Sequence, residues 1–163
     1  MALEIERRFL IKNDHWKKFI INKTSIEQGY LSYNLEDWII RIRFNGKDFK
    51  IALKKHIQNF TNYEYEFSIP NSEGEKIMAT LTNKIKKERF FLEVDNKNWI
   101  VDCFKDKNFP LEIAEIELNS EKEEVILPPF VSREITGLKI FTNLSLTKRP
   151  FSKWENNDLK KFK

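Results

Sequence analysis

Residues 38–55 read WIIRIRFNGKDFKIALKK, two alternating runs around Asn45-Gly46-Lys47-Asp48. Side chains two apart on a strand share a face. Arg41 and Arg43 therefore share one face of the first run, with Ile40, Ile42 and Phe44 on the other. In the second run Lys50, Ala52 and Lys54 oppose Phe49, Ile51 and Leu53. Asn-Gly between two such runs is a hairpin signal, because glycine and asparagine accept the positive φ that tight turns require. The stretch is thus a β-hairpin with one basic face and one apolar face.

Working outward, the same period of two places strands at about 3–11, 27–34, 38–45, 48–55, 61–69, 85–94, 97–104 and 111–119. Helices are expected at about 14–21, with Asp14 near the start, at about 72–83, and once or twice between about 128 and 147, where Pro128-Pro129 and Gly137 punctuate the chain. Many strands and few helices make this an all-β or a β-rich α+β protein, and the helices expected favour the second. No internal repeat or Pro/Gly/Ser-rich linker divides the 163 residues, so residues 1–150 read as one domain. Residues 151–163 read as a tail or docked helix, with Trp154, Leu159 and Phe162 as anchors.

Composition excludes several classes. Fourteen Phe, four Trp and four Tyr are far too many aromatics for a disordered chain. The lone Cys103 excludes an internal disulfide framework, and His15 and His56 as the only histidines exclude a His-rich metal centre. No run approaches the roughly 18 apolar residues of a membrane span. The first residues, MALEIERRFLIK, put charge where a signal peptide needs an apolar stretch. The expectation is a cytoplasmic protein with no membrane partner. The net charge of +4 is a small difference between 29 basic and 25 acidic residues, so where the charges sit matters more than their sum.

They sit on one face of every strand. Glu4, Glu6 and Arg8 share a face, as do Glu64 and Glu66, Lys87 and Arg89, and Glu115 and Glu117. An antiparallel sheet with one wet face also alternates charged and apolar residues. A solvated face, however, mixes signs. Here acids dominate the first, fifth and eighth strands and bases the third, fourth and sixth, so each face would repel itself without counter-charges opposite. Closing the sheet into a barrel with the charges inside and the apolar faces under helices brings the two sets together. Carboxylates are hard oxygen ligands for Mg²⁺ or Mn²⁺. Arginine and lysine grip phosphate oxygens. A polyanion bridged to a divalent metal uses both halves. A nucleic-acid groove would be repelled by the carboxylates, so no nucleic-acid partner is expected, although the pI near 9.0 suits an RNA-binding barrel.

These residues resemble a known family. Glu4-x-Glu6-x-Arg8 resembles the ExExK signature of the CYTH superfamily, the triphosphate tunnel metalloenzymes. The likeness continues in order through Gln28-Gly29-Tyr30-Leu31, Arg41-x-Arg43, Ala52-Leu53-Lys54, Tyr63-Glu64-Tyr65-Glu66, Lys87-x-Arg89, Asp102, Ala114-Glu115-x-Glu117-Leu118, Arg133-Glu134-x-Thr136 and the Asn143 segment. It covers about residues 3 to 147, and the matched order of so many segments carries it. One position departs: the family's lysine is Arg8 here. Arginine keeps the charge and can hold phosphate but does not release a proton at ordinary pH.

The resemblance implies an eight-stranded antiparallel β-tunnel holding a triphosphate. It implies that Glu4, Glu6, Asp102, Glu115 and Glu117 bind one or two Mg²⁺ or Mn²⁺ ions, and that Arg8, Arg41, Arg43, Lys54, Lys87 and Arg89 grip phosphate oxygens. Tyr30 and Lys54 are the implied proton-donating pair, with the phenol lowered in pKa by the lysine. Glu64, Glu66 and Glu134 are supporting residues, Glu134 as a brace for arginines. Lys50 falls at the rim, and Cys103 points away from the tunnel into packing. The activity expected is metal-dependent hydrolysis of inorganic tripolyphosphate, or of an organic or nucleoside triphosphate, by a monomer or homodimer. The alternatives are a class IV-like adenylate cyclase and a non-catalytic polyphosphate-binding module.

Overall fold

The computed structural model describes residues 2–31, 38–155 and 158. Nine strands run through the described residues: β1 (Ala2–Ile11), β2 (Ile20–Tyr30), β3 (Ile39–Phe44), β4 (Phe49–Gln58), β5 (Thr61–Ile69), β6 (Lys84–Val94), β7 (Lys97–Phe104), β8 (Glu112–Glu117) and β9 (Val131–Glu134). Helices α1 (Asn71–Thr80) and α2 (Asn143–Lys148) and several short 3-10 turns complete them. The sheet order is β5-β4-β3-β2-β6-β7-β8-β1-β9, and β5 also pairs with β1. That last pairing closes eight antiparallel strands into a barrel, with β9 as a flap outside on β1. The β-rich barrel with peripheral helices is the architecture the alternation predicts.

Register decides what the barrel encloses, because residues directly opposite on neighbouring strands share a face. Around the ring the opposed pairs are Glu4 with Asn62, Glu64 with Lys54, Ala52 with Arg41, Arg43 with Gln28, and Tyr30 with Arg41. They continue through Arg89 with Asp102, Ile100 with Glu115, Glu115 with Arg8, and Glu117 with Glu6. Every charged face thus closes onto one interior.

The apolar residues lie elsewhere. Outside the wall, Phe9, Trp16, Trp99, Val101 and Phe130 form one cluster, with Trp99 edge-on to Phe130. Ile42, Phe49 and Met78 form another beneath α1. Gly74 of α1 rests on Phe49 so closely that an added Cβ would lie 2.2 Å from its ring. A third cluster plugs one end of the barrel: inward-facing Ile85, Phe104 and Ile113 meet Phe141, Leu146 and Trp154 from the C-terminal segment. The anchor expected at Trp154 is therefore in place. Leu159 and Phe162 lie outside the described residues.

Several boundaries differ from the periodic reading. The hairpin forms as read: the Asn45 side-chain oxygen accepts from the backbone N–H groups of Lys47 and Asp48, and Gly46 sits at φ +88°. The first helix is a 3-10 turn at Asp14–Phe19, because β2 already starts at Ile20 rather than at 27. Residues 20–25 lack an alternating signal: they pair on one side with β6, extend past β3, and leave most side chains in solvent. The expected end of that strand at 32–34 lies outside the described residues. The window expected to hold one or two helices, about 128–147, opens instead with β9, which has four residues, three of them exposed, and pairs with β1 alone. Helix α1 covers 71–80 of the expected 72–83, and the C-terminal helical turns fall at 139–141 and 143–148.

Candidate active site

Inside the barrel lies a cavity of about 500 Å³, lined by Glu4, Glu6, Arg8, Tyr30, Arg41, Arg43, Lys54, Glu64, Arg89, Glu115 and Glu117. Its charges separate into two regions. In the acidic region the Lys54 ammonium pairs with Glu4 and lies 3.5 Å from Glu6 and 3.7 Å from Glu64. Burial, then the nearby Glu64, holds the Glu4 carboxyl above its ordinary range against the pull of Lys54. Glu117 is raised by burial and then by Glu4 and Glu6. These carboxylates crowd one another across neighbouring strands.

In the basic region Arg8 donates through Nε to Glu115 (3.0 Å) and through Nη1 to the Phe141 carbonyl (3.2 Å). Arg41 donates to Glu64 (2.6 Å). Arg43 donates through Nε to Gln28 Oε1 (3.1 Å). Burial, then the neighbouring Arg41 and Arg89, pushes Arg43 down to about 10. Arg8 Nη2 and Arg41 Nε are buried with no hydrogen-bond partner among the described residues. Crowded cations with unused donors favour an anion between them.

Behind this lining sits a buried network. Asp102 is fully buried and accepts from Arg89 Nε (2.8 Å) and Nη2 (2.7 Å) and from Lys87. Burial alone would raise the Asp102 carboxyl, but the charges of Arg89 and Lys87 outweigh it and hold it well below the usual carboxylate range. Burial is also the largest influence on Lys87, which falls to about 8 despite Asp102. Arg89 reaches forward from this network to Glu115 at 3.1 Å.

The structure thus brings together most of the residues that the sequence pointed to. Lys87 and Asp102 stand behind the lining rather than on it. Lys50 and Glu66 face each other at 3.0 Å in a second opening, which shares Arg43 and Arg89 with the main cavity. Glu134 is not among the tunnel residues. It lies on the outside, where it accepts from Arg7 at 2.8 and 2.7 Å and from Thr136. Its period-two partner on the β1 side is the outward Arg7, not Arg8, so it braces no tunnel arginine. The Tyr30 pKa also departs from expectation. Burial raises it, and Arg41, Arg43 and Lys54 offset this only in part. Cys103 lies on the outer face beside Glu112, and burial pushes its thiol up to about 12. His15 is exposed, whereas His56 falls within β4 and lines the cavity mouth.

Sequence reasoning missed Gln28 as a site residue, although it lies on the inward phase of β2 two residues before Tyr30. It also missed Asn62, which faces Glu4, and the mouth segment with Thr136, Lys139 and Asn143. The phase could have found the first two. The third comes from a loop with no periodic signal.

Among the described residues no three His, Cys, Asp or Glu side chains converge as a ready-built metal cluster. The chemistry of the acidic region nevertheless fits a hard divalent cation, since Glu4, Glu6 and Glu117 offer oxygens whose mutual repulsion such a charge would relieve. Among the described residues no helix is long and apolar enough to cross a membrane.

Comparison with known proteins agrees with this geometry. No protein-family model matches the chain. An inorganic triphosphatase of Acetivibrio thermocellus is 32% identical over 158 residues, spanning 95% of this chain and 99% of that protein. The crystal structure of the inorganic triphosphatase NE1496 superposes with a TM-score of 0.66 at 27% identity, covering 90% of this chain and 95% of the other. A Hippeastrum protein named an adenylyl cyclase, with a dominant triphosphatase activity, shares the fold at a TM-score of 0.56 and 13% identity, over 74% of this chain and 80% of the other. A closed barrel with a charged interior is the mark of the triphosphate tunnel enzymes, and this chain belongs to that family, the CYTH superfamily, alongside the inorganic triphosphatases.

Proposed function

We propose that this chain hydrolyses inorganic tripolyphosphate to pyrophosphate and phosphate inside the tunnel, with Mg²⁺ or Mn²⁺ as its metal. The observation that carries the reading is a cavity in which Arg8, Arg41, Arg43 and Arg89 face Glu4, Glu6 and Glu117. The arginines hold the phosphate oxygens in place, and the unpartnered Arg8 Nη2 and Arg41 Nε are the donors left to do so. Phosphoryl transfer needs little covalent help, so positioning and charge neutralisation supply most of the acceleration. Glu4, Glu6 and Glu117 would hold the divalent ion, which supplies charge neutralisation and lowers the pKa of water. Asp102 and Lys87 position Arg89, and both Asp102 oxygens are committed to that task. Tyr30, kept protonated by burial, gives its proton to the leaving phosphate oxygen. Lys54 holds Glu4, Glu6 and Glu64 in register and adds positive charge to the cavity.

The test is phosphate release from tripolyphosphate, ATP and thiamine triphosphate with Mg²⁺ or Mn²⁺, measuring cyclic AMP alongside. Fastest release from tripolyphosphate is expected. Binding without release from any of them would leave a polyphosphate-binding module, and cyclic AMP from ATP would make the chain a cyclase.

A further inference from the structure

Gln28 is completely buried, yet its side chain is polar and reaches two residues of the site. Arg43 Nε donates to its Oε1 at 3.1 Å, and its Nε2 lies 2.6 Å from the Tyr30 hydroxyl oxygen. The orientation of this amide follows from chemistry. A guanidinium has donors and no acceptor, so the oxygen of Gln28 must face Arg43. The NH₂ must then face Tyr30 and donate to it. The tyrosine oxygen, already accepting that bond, turns its own proton elsewhere. Among the described residues no protein acceptor takes that proton, and Tyr30 lines the cavity.

We propose that Gln28 is a positioning residue, which sets the direction of the Tyr30 proton and aims it at the leaving phosphate oxygen. The inference rests on the proposed triphosphate hydrolysis and on Tyr30 as its proton donor. In the step concerned, water attacks phosphorus and the bridging P–O bond breaks. The electron pair of that bond goes to the leaving oxygen, which takes the Tyr30 proton. The phenolate regains a proton from solvent, where the second proton of the attacking water has gone, so the reaction consumes one water and no other reactant. An arginine thereby controls a tyrosine proton through an amide, and replacing either end of the amide breaks the control.

The test is a double-mutant cycle of Gln28→Met with Tyr30→Phe, read as kcat and KM for tripolyphosphate with Mg²⁺. Methionine has a similar length and adds no charge, so fold and phosphate grip should survive. Gln28→Met should lower kcat by about a hundredfold or more, within the range of a general acid, with KM changed by less than about threefold. Adding Tyr30→Phe to it should cost less than about threefold more, since the proton is already misdirected. Gln28→Glu is the second variant: a carboxylate still accepts from Arg43 but also accepts the tyrosine proton. Its kcat should fall to the level of Tyr30→Phe, and its KM should rise through repulsion of the substrate. Losses that multiply independently in the cycle, or a Gln28→Met enzyme with the parent kcat beside a crippled Tyr30→Phe enzyme, would overturn the proposal. A Tyr30→Phe enzyme with full kcat would remove the proton donor, and Gln28 with it, while leaving triphosphate hydrolysis intact. A parent that releases no phosphate would instead remove the proposed function.

Discussion

Arg8 stands where the family signature has lysine, and the structure shows what arginine does there. Its guanidinium spans Glu115 and the Phe141 carbonyl while leaving Nη2 unpartnered. In the proposed function that is a gripping role, which needs charge and no proton release. Arg8→Lys should therefore keep activity within about tenfold, whereas Arg8→Ala should lose about a hundredfold, the scale of a deleted electrostatic donor. Steady-state kinetics on tripolyphosphate checks both. Asp102 carries a stability prediction. Its folded pKa lies below its unfolded one, so its contribution is fully present above about pH 4, the unfolded value, and is lost as pH falls from there. Asp102→Asn should destabilise by about 3–5 kcal/mol at pH 7, because it strips the counter-charge from buried Lys87 and Arg89. Denaturant melts at pH 7 and pH 3 should show that penalty shrinking in acid. At this scale the sequence was legible wherever phase alone decides orientation, as at Glu4, Glu6, Arg41 and Arg43. It was less so where partners decide role: Asp102 reads as one more inward carboxylate, and only its two bound cations mark it as a brace. Glu134 shows no face in the sequence, because β9 is too short for a period and only its pairing with β1 turns it outward.

Elements form where the local signal and the pairing agree. The β3–β4 hairpin had both, with Asn45 and Gly46 supplying the turn chemistry. Strand β9 has the pairing, with β1, but not the signal, since a four-residue flap with exposed side chains shows no period. Helix α1 depends on a close approach. Its Gly74 meets the Phe49 ring at the first β4 position, where any side chain would collide. Ring and helix backbone are both fixed, so relief requires α1 to lift off the Ile42–Phe49–Met78 cluster. Gly74→Ala should cost about 2–3 kcal/mol, the scale of overpacking. Thermal unfolding should show a melting temperature lower by several degrees, with the kinetics of the unmelted enzyme little changed because α1 contributes nothing to the cavity lining.

For the whole molecule, the interior holds like charges close together and an exterior of apolar clusters holds the wall shut. A triphosphate should therefore stabilise the fold by occupying the cationic region. Millimolar tripolyphosphate with Mg²⁺ should raise the melting temperature well beyond chloride at equal ionic strength, and no shift would count against an occupied tunnel. Removal of divalent ions with EDTA should abolish phosphate release, as should Glu117→Gln to within about one per cent of the parent rate. Activity undiminished in chelator would sink the metal assignment.

The place of β1 in the barrel bears on how the chain is made. Its partners β5, β8 and β9 begin at residues 61, 112 and 131, so β1 gains β5 early but waits for β8 and β9 until the rest of the barrel has been made. Until then the edge that will take β8 and β9 is open, and β1 carries Leu3, Ile5, Phe9 and Ile11, a segment apt to pair with another nascent copy. Glu4, Glu6, Arg7 and Arg8 interrupt that apolar series at every turn of the pleat. Charges beside an exposed strand act as gatekeepers against self-association. Glu4, Glu6 and Arg8, which line the finished cavity, thus guard the unfinished chain first, and substitutions that neutralise them should lower soluble yield as well as turnover.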